Sequence, residues 1–424
     1  MSSESADAGG VGCGPICGTS HMIALVDCNN FFVSVERVFE PGLSELPVAV
    51  LSSNDGCIIA RSNEVKELGV PMGAPVFKVR DLLDEHGVVL KSSNFPLYSD
   101  MSRRVMSVME RFSPDVDIYS IDEAFLDWPA GQNPEELRQS VLREVGIPVT
   151  VGVAMSRPLA KAAGSLGKRL GGIMDWSQSS EEEVDAWLSL ISIEDVWGIG
   201  RKLQQKMKLY RIYTAYDLKY ISDGLLKKQD VTFRRLVAQL RGQKTPPQEV
   251  APSKSMVSTR SFGKVVSDKS ELSQSLSYHA AHLGEKLRRE GLYASSVAAF
   301  ISTGTRGIDL GREHTLVEPT QGTRTLVRAV NHILNECFDV NLHYKKAGVM
   351  VYGLRPGQQL SFGGNEIDSM KDQQTSELLD KVNARWGASS LKLASEGINS
   401  NWKPKRELRS PRYTTEWSEI KEVR

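Results

Sequence analysis

The feature that most constrains this chain is a pair of adjacent carboxylates, Asp122 and Glu123, between two short apolar runs. Val116 and Ile118 alternate with polar residues before the pair, and residues 124–126 (AFL) follow it. This pattern predicts two strands joined by a tight turn that carries the acids. Neighbouring strand residues point to opposite faces, so only a turn lets both acids reach one site. For the dipeptide alone, a polar hairpin tip is the alternative.

A third carboxylate, Asp27, ends an apolar stretch far upstream. Residues 23–26 (IALV) predict a short strand, and apolar residues at helical spacing then predict a helix that Asn29 or Asn30 caps. An acid at this junction is costly unless it meets a cation. Three such acids suit a pair of Mg²⁺ ions, which take oxygen ligands and share substrate phosphates. Two ions of this kind support phosphoryl transfer.

Seven motifs occur together along the chain. They are DCNNFF at 27–32, SSNDGCIIAR at 52–61, YSDMS at 98–102, YSIDEAF at 119–125, VWGIGR at 196–201, STRSFG at 258–263 and SPRYTT at 410–415. In combination they resemble the Y-family (translesion) DNA polymerases over nearly the whole chain. The last motif and the length of 424 residues are most similar to the UmuC type, the catalytic subunit of bacterial DNA polymerase V.

The resemblance implies an α+β multidomain fold, a right-hand polymerase with palm, fingers and thumb plus a βαββαβ little finger. The Gly/Ser-rich first 21 residues lack periodicity and are expected to be a disordered leader. The implied boundaries are palm 22–40 and 96–180, fingers 41–95, thumb 181–243 with a helix-hairpin-helix near 196–202, linker 244–255, little finger 256–353 and a C-terminal partner-binding region 354–424.

Local patterns add detail within these domains. In the fingers we expect a strand at 47–51 and a helix at 60–68. The little finger reads strand, helix, strand, strand, helix, strand, which places two helices on one face of an antiparallel sheet. After residue 353 no regular pattern is predicted. The tail from 401 mixes charges with aromatic residues, which indicates a partner or nucleic-acid surface: Trp402, Tyr413 and Trp417.

The resemblance implies roles for residues that handle metal and nucleotide. The implied metal ligands are the catalytic acids Asp27, Asp122 and Glu123 together with the backbone carbonyl of Cys28, and the implied nucleotide-binding residues are Phe32, Asn63, Lys66 and Lys168. The two lysines would neutralise the triphosphate, although a solvated helix charge is the alternative for Lys66. Asn63 stands where many members have a tyrosine. Lys161 lies two helical turns before Lys168 and so on the same helix face. We expect Lys161 to have a structural role or to make a secondary contact with phosphate.

Phe32 is where the family places an aromatic ring under the sugar of the incoming nucleotide. A 2′-hydroxyl would collide with that ring, so discrimination against ribonucleotides would come from a clash. A core position is the alternative. Phe31, Val35, Val38 and Phe39 already form a complete apolar face, and Phe32 lies about 100° off its centre. We therefore favour a role for Phe32 as a steric gate, a side chain that excludes ribonucleotides by a clash.

Charge points to the candidate DNA surface. The chain has no net charge, but residues 201–264 contain fifteen Lys or Arg against four Asp or Glu. Such a local excess is typical of a surface that follows a phosphate backbone. The glycines of a helix-hairpin-helix let backbone N–H groups approach a phosphate. The implied DNA-binding residues are Gly198, Gly200, Arg201 and Lys202 in the thumb, and Arg260 and Lys264 on the first little-finger strand.

The implied partners are damaged primer-template DNA, deoxynucleoside triphosphates, a UmuD′-type dimer and RecA. Residues 359–362 (QLSF) weakly resemble a sliding-clamp peptide but lack one apolar position. No apolar run is long enough to span a membrane. Five cysteines without paired spacing indicate a reducing compartment. We therefore expect a cytoplasmic protein that is associated with the nucleoid when active.

The resulting prediction is a Mg²⁺-dependent, error-prone DNA polymerase that acts across damaged DNA in the SOS response. A catalytically idle DNA-binding subunit is one alternative, and the complete set of three acids argues against it. A nucleotide cyclase, which shares the palm and its two-metal acids, is the other. The helix-hairpin-helix and the basic thumb argue against a cyclase.

Overall fold

A computed structural model describes residues 22–243, 245, 253–304, 309–357, 366–398 and 402–420. The leader at 1–21, most of the linker and residues 359–362 lie outside these ranges. None of the helices within them is long and apolar enough to cross a membrane.

The first half of the chain forms two sheets with helices around them. In chain order its elements are β1 (Met22–Cys28), α1 (Phe31–Phe39), β2 (Val48–Leu51), β3 (Ile58–Arg61), α2 (Asn63–Glu67), α3 (Val76–Glu85), β4 (Val89–Ser92), α4 (Phe95–Met109), β5 (Val116–Ile118), β6 (Glu123–Trp128), α5 (Pro134–Val145), β7 (Val149–Ala154), α6 (Arg157–Gly167) and β8 (Ile173–Asp175). The palm sheet has the order β5-β6-β1-β7-β8, and the fingers sheet has the order β3-β2-β4.

The central palm strand β1 is buried because sheet neighbours and helices cover it. It pairs antiparallel with both β6 and β7. Ala24 and Val26 have no exposed surface, and they pack in one core cluster with residues of α1 and α4. The predicted strand at 23–26, the helix after it and the acidic hairpin, residues 116–128, are all confirmed. A strand buried on both faces is a rigid support for the side chain at its end.

The fingers differ from prediction at residues 60–68. Instead of one helix, β3 continues to Arg61 and α2 begins only at Asn63. Two β-branched residues, Ile58 and Ile59, favour a strand, and β3 gains a partner in β2, with which it pairs antiparallel. The predicted helix at 60–62 is therefore wrong, because pairing with a distant strand overrides the local pattern.

The second half contains a helical thumb, the little finger and a C-terminal helix. Its elements are α7 (Glu181–Ser189), α8 (Arg201–Leu209), α9 (Ala215–Lys219), α10 (Asp223–Leu226), α11 (Val231–Leu240), β9 (Ser255–Val266), α12 (Lys269–Arg289), β10 (Leu292–Ser302), β11 (Asp309–Thr320), α13 (Thr323–Cys337), β12 (Tyr344–Tyr352), β13 (Arg355–Pro356) and α14 (Glu366–Trp386). The little-finger sheet has the order β11-β10-β12-β9, and α12 and α13 pack against it, as predicted.

Helix α14 contradicts the expectation that the chain is irregular after residue 353. It docks on the little finger through polar contacts rather than through an apolar stripe. Asp372 accepts hydrogen bonds from the backbone N–H groups of Arg324 and Thr325 at the start of α13, and Asp380 accepts two from Arg288. Because its docking residues are polar, the helix carries little of the apolar periodicity that predicts a buried helix.

Candidate active site

Strand pairing brings the three predicted acids together. Asp27 lies directly opposite Glu123 in the β1–β6 ladder, and the backbone N–H of Cys28 donates to the carbonyl of Asp122 at 2.8 Å. Directly opposed residues in an antiparallel pair point to the same face. Asp122 lies in the turn before β6, where the Ser120 hydroxyl is 2.5 Å from its carboxylate. The predicted turn therefore exists, and it places Asp122 next to the strand end where Asp27 faces Glu123.

Each of two acids is held by a lysine of the same segment. The Nζ of Lys168 lies 2.8 Å from Asp27, and the Nζ of Lys161 lies 2.8 and 3.0 Å from the two oxygens of Glu123. Burial raises the pKa of Asp27 above its ordinary value, Lys168 opposes that rise, and the charges of Asp122 and Glu123 add to it. The carboxylates are thus close enough to repel one another, and they need positive charge between them.

The donor set suits hard divalent cations, although the side chains are not arranged around one. Within the described part of the chain, no three His, Cys, Asp or Glu side chains are placed so that they could hold one metal ion. Two of the acids are instead engaged by separate lysines, Glu123 by Lys161 and Asp27 by Lys168. The strand register nevertheless fixes the backbones of Asp27 and Glu123 opposite each other. Carboxylate oxygens on that frame are the ligands that Mg²⁺ takes in proteins, so the residues fit the group.

Cys28 fits a backbone role rather than a thiolate role. Its side chain is buried, and burial, together with the charge of Asp27, raises the pKa of the thiol well above its ordinary value. A protonated, buried thiol is a poor metal ligand. The hydrogen bond from its backbone N–H to the carbonyl of Asp122 places the backbone of Cys28 at the acid site.

A polar cluster joins the fingers to the start of α1. Lys66 Nζ donates to Asn30 Oδ1 at 2.5 Å, and Asn30 Nδ2 donates to Asn63 Oδ1 at 3.0 Å. Burial lowers the pKa of Lys66, and the positive charges of Lys168 and Arg61 lower it further. Lys66, Arg61 and Lys168 therefore form one positive field beside Asp27, suited to a polyphosphate. Asn30, which the sequence offered only as a helix cap, instead links Asn63 to Lys66.

Phe32 lies in an aromatic group at the edge of the palm core. Its ring stacks on Tyr98 with centroids 4.5 Å apart and planes 16° apart, and meets the edge of Phe95 at 5.8 Å. Phe32 is half-buried, whereas Phe31 beside it is buried in the core. One face of the ring is thus fixed by Tyr98, and part of the ring remains accessible at the surface.

The thumb hairpin docks beside the acidic hairpin. Gly198 has φ of +90° and Gly200 is the residue before α8, so the turn presents backbone at a helix start. Arg201 and Lys202 are exposed on the first turn of α8. Trp197 donates a hydrogen bond to the Tyr119 hydroxyl at 3.2 Å. The four predicted thumb residues are therefore exposed, and they directly follow Trp197, which contacts the acidic hairpin.

The two predicted little-finger residues do not lie on the uncovered face of the sheet. Arg260 alternates in step with the buried Met256 and Phe262, which pack under the helices, and Lys264 pairs with Glu271 of α12 at 3.1 Å. The uncovered face instead carries Lys346, whose Nζ lies 5.8 Å from the centre of the Phe300 ring. This pair could have been found in the sequence, because Phe300 and Lys346 occupy strand positions that alternate with the buried residues of β10 and β12.

Lys161 is the residue whose role the sequence understated. Its Nζ contacts Glu123 and also lies 5.0 Å from the centre of the Tyr119 ring. Its spacing from Lys168 marked both as one helix face, but only the packing of α6 against β1 shows that this face meets the acids. Helix α6 and Lys168, the residue that follows it, thus supply cations to two of the three carboxylates.

Comparison with known families covers most of the chain. The model of the impB/mucB/samB family matches residues 26–165, and that of the impB/mucB/samB family C-terminal domain matches residues 253–362. A third model, described as a domain of unknown function, matches residues 373–423.

Individual relatives align nearly end to end. The UmuC protein of Salmonella typhimurium is 38% identical over 95% of this chain and 100% of its own, and the SamB protein of the same organism is 34% identical over 94% and 99%. DNA polymerase IV 1 of Bacillus subtilis is 24% identical over 88% of this chain and 93% of its own.

Solved structures show the same fold. A Y-family DNA polymerase chimera of Dbh and Dpo4 superposes with a TM-score of 0.64 at 20% identity, and covers 79% of this chain and 100% of the chimera. An insertion ternary complex of Dbh DNA polymerase has a TM-score of 0.53 at 19% identity over the same shares. The chain therefore belongs to the impB/mucB/samB family and is a UmuC-type, error-prone translesion DNA polymerase with the Y-family fold.

Proposed function

We propose that Asp27, Asp122 and Glu123 bind two Mg²⁺ ions and carry out template-directed nucleotidyl transfer on damaged primer-template DNA. The observation that carries this proposal is the register of β1 and β6, which sets Asp27 opposite Glu123 with Asp122 at the adjoining turn. When bound, two such ions activate the attacking hydroxyl and stabilise the leaving oxygen. The backbone carbonyl of Cys28 is a further oxygen ligand at the same strand end.

The residues of this chain hold the reactants. Lys66 and Lys168 neutralise the triphosphate, and Lys168 exchanges its contact with Asp27 for a phosphate as the nucleotide enters. The exchange is feasible because the ion pair is partly exposed: the side chains of Lys168 and Asp27 are 47% and 19% accessible. Asn30 and Asn63 orient Lys66, because its Nζ donates to the Oδ1 of each, at 2.5 and 3.3 Å.

The thumb and little finger hold the DNA. Gly198, Gly200, Arg201 and Lys202 contact the phosphate backbone, which positions the duplex without reading its sequence. The side chains of Arg260 and Lys264 lie on the helix side of β9, but β9 is an edge strand of the sheet. We therefore propose that these two residues contact the DNA backbone from that edge. Lys346 and Phe300 occupy the uncovered face.

Removing one acid tests the site. We expect Asp122→Ala and Glu123→Ala to reduce extension of a primer below about 1% of wild type, while affinity for the primer-template is retained, because losing negative charge does not weaken binding to a polyanion. Asp127→Asn, an exposed acid at the far end of β6, is the matched control. Extension by either alanine variant at more than a few per cent would contradict the two-metal assignment.

A template with a single lesion separates this proposal from the two alternatives. A polymerase extends the primer across the lesion, an idle DNA-binding subunit binds the primer-template without extending it, and a cyclase consumes nucleotide without a template. Omitting Mg²⁺ should abolish extension and leave DNA binding intact.

Phe32 is proposed as the gate against ribonucleotides. Phe32→Ala should raise incorporation of ribonucleotides far more than it lowers that of deoxyribonucleotides, because the clash with a 2′-hydroxyl is removed. The two rates are measured on one undamaged template. Phe112→Ala, which removes the same ring from the edge of the same core cluster, is the control. An unchanged sugar preference in a folded, active Phe32→Ala variant would assign Phe32 to the core.

The chain is proposed to work in the cytoplasm, at the nucleoid when active, as the catalytic subunit of a polymerase V-like complex in the SOS response. A UmuD′-type dimer and RecA are its proposed partners, and the sliding clamp is a third candidate through residues 359–362. Pull-down with each purified partner, followed by lesion-bypass assays with and without it, tests this assignment. Failure of all three to bind or to stimulate would overturn it.

A further inference from the structure

The end of the chain lies across three domains of the same molecule. We call residues 402–413 the C-terminal strap. It begins in the little finger, where Trp402 is buried against Phe262 and Tyr278, with ring centroids 6.3 and 5.4 Å away. The backbone N–H of Gly263 donates to the Trp402 carbonyl. The strap lies within the segment that matches a domain of unknown function.

The middle of the strap pairs with the fingers. Asn54 Oδ1 accepts from the backbone N–H of Lys405 at 3.0 Å. Further along, Ser92 at the end of β4 exchanges two hydrogen bonds with Leu408, both at 3.0 Å: its backbone N–H donates to the Leu408 carbonyl, and its hydroxyl accepts from the Leu408 N–H. The strap thus extends the fingers sheet at its edge.

The strap ends against two palm helices. Asn94, the residue before α4, donates from Nδ2 to both the carbonyl and the hydroxyl of Ser410 at 3.0 Å. The Ser410 hydroxyl in turn donates to Glu36 Oε1 at 3.0 Å, and the Tyr98 hydroxyl donates to the same oxygen at 2.7 Å. Ser410 and Asn94 are themselves buried, so these contacts exclude water.

These contacts converge on the ring of Phe32. Glu36 lies one helical turn after Phe32 on α1, hence on the same face. Tyr98, which donates a hydrogen bond from its hydroxyl to Glu36, stacks on Phe32. The ring of Phe95, at the start of α4, packs edge-on against Phe32. Ser410 is therefore two hydrogen bonds and one ring stack away from the gate, although it is 378 positions away in sequence.

The cost of breaking this network is concentrated on Glu36. Its side chain is fully buried, and burial raises the pKa of its carboxyl against the opposing effect of the Tyr98 and Ser410 hydrogen bonds. Among the described residues, Glu36 Oε2 has no hydrogen-bond partner, so Oε1 carries both donors. A buried carboxyl that loses one of two donors is left underpartnered, and its one remaining donor here is Tyr98, the residue that stacks on Phe32.

We propose that the C-terminal strap is a positioning element for sugar selection, in which Ser410 acts through Glu36 and Tyr98 to hold the Phe32 ring in the path of a 2′-hydroxyl. This rests on the proposed gate role of Phe32. Selection by a clash requires that the ring keep its position when a 2′-hydroxyl approaches. Shifts of tenths of an ångström in the supporting side chains are enough to weaken such a constraint. Ser410 is a positioning residue, because it does not touch the nucleotide.

The test is the ratio of ribonucleotide to deoxyribonucleotide incorporation, each as kcat/KM on an undamaged template. We expect Ser410→Ala and Tyr98→Phe each to raise that ratio by roughly three- to tenfold, as for the loss of one buried hydrogen bond. Deoxyribonucleotide incorporation should stay within about threefold of wild type. Ser418→Ala removes an equivalent hydroxyl from the exposed part of the tail and should leave the ratio unchanged.

A double variant separates a role through the gate from general loosening. If the strap acts through Phe32, Ser410→Ala adds nothing to the ratio of Phe32→Ala, because the ring that it positions is gone. A wild-type ratio in Ser410→Ala, with a raised ratio in Phe32→Ala, would overturn the strap inference and leave the gate intact. A wild-type ratio in Phe32→Ala itself would overturn the gate and, with it, this inference. Equal, additive effects of Ser410→Ala in both backgrounds would also overturn it.

Discussion

Gly152 is the position where the smallest change should have the largest effect on the active site. It lies on β7 where α6 crosses the sheet, and a Cβ placed there would lie 2.3 Å from the backbone nitrogen of Gly164 and 2.4 Å from the carbonyl oxygen of Ala160. Both are backbone atoms, so no rotamer change can relieve the overlap. Helix α6 must move away from β7, and it carries Lys161 and leads directly into Lys168.

The size of the effect follows from these distances. Ordinary contacts of a Cβ begin at 3.4 Å, so α6 must shift by about 1 Å. Overpacking of this kind costs about 1–3 kcal/mol when side chains can adjust; here we expect the upper end of that range or more. The same shift moves both lysines relative to Asp27 and Glu123, from which they lie 2.8 Å. A misplacement of about 1 Å costs on the order of 100-fold in rate.

Gly164→Ala is the matched control on the opposite side of the same contact. A Cβ at Gly164 would meet only the Cδ2 of Leu25, at an ordinary 3.5 Å. Replacing a glycine within a helix by alanine stabilises it by about 0.8–1.0 kcal/mol. We therefore expect Gly164→Ala to keep wild-type activity with equal or higher stability, whereas Gly152→Ala loses both.

Urea unfolding followed by circular dichroism and single-nucleotide incorporation provide the two measurements. Wild-type unfolding and nucleotide incorporation by Gly152→Ala would show that α6 does not need to move. Equal harm from the two alanines would show that the damage does not depend on which side of the contact receives the methyl group.

Two further predictions concern DNA binding and acid stability. Arg201→Ala and Lys202→Ala should each reduce the slope of log DNA affinity against log salt concentration by about 0.9. Arg80→Ala, which removes an exposed arginine of the fingers, is the control and should leave the slope unchanged. A DNA affinity that is insensitive to salt would contradict the thumb assignment. Burial lowers the pKa of His279 from 6.5 to about 3. The unfolded chain therefore binds the proton first, and stability is lost as pH falls below about 6.5, by up to about 1.4 kcal/mol per pH unit. Urea unfolding at pH 7 and pH 5 should show this loss in wild type and not in His279→Gln.

The positions of the three acids, at a strand end and at a turn, could be predicted from the sequence because they depend on local junctions. A strand that stops at Asp27 and a turn that carries Asp122 and Glu123 are both visible as changes in apolar period. What the sequence could not give was the partner of each strand. The choice of β6 as the neighbour of β1, which sets Asp27 opposite Glu123, depends on packing of the whole palm.

Contacts between polar groups far apart in sequence were the part that could not be predicted. Asn94 and Ser410 are separated by 316 positions, and neither differs from an ordinary surface residue in its local pattern. The same holds for Asp372 of α14, which caps the start of α13. Apolar periodicity reports which face of an element is buried, but it does not report hydrogen bonds that hold two elements together.

The aromatic residues of the tail show how composition can mislead. Aromatics among charges predicted a surface for a partner or for nucleic acid, yet Trp402 packs in the little-finger core and Tyr413 stacks on Phe39 with centroids 4.8 Å apart. Trp417, by contrast, is 90% exposed. The same composition therefore covers two situations, an aromatic buried by its own chain and one that is accessible to a partner.

This difference limits how a partner could use the tail. A protein that recognises Trp417 can bind without disturbing the strap. A protein that requires Tyr413 must first separate it from Phe39. That movement would also displace Ser410, which donates a hydrogen bond to Glu36. Binding of the second kind would uncover a buried carboxyl and would therefore be weakened by the strap's own contacts. By linkage, such a partner would also loosen Phe32. Sugar selection measured with and without each partner thus distinguishes the two binding modes.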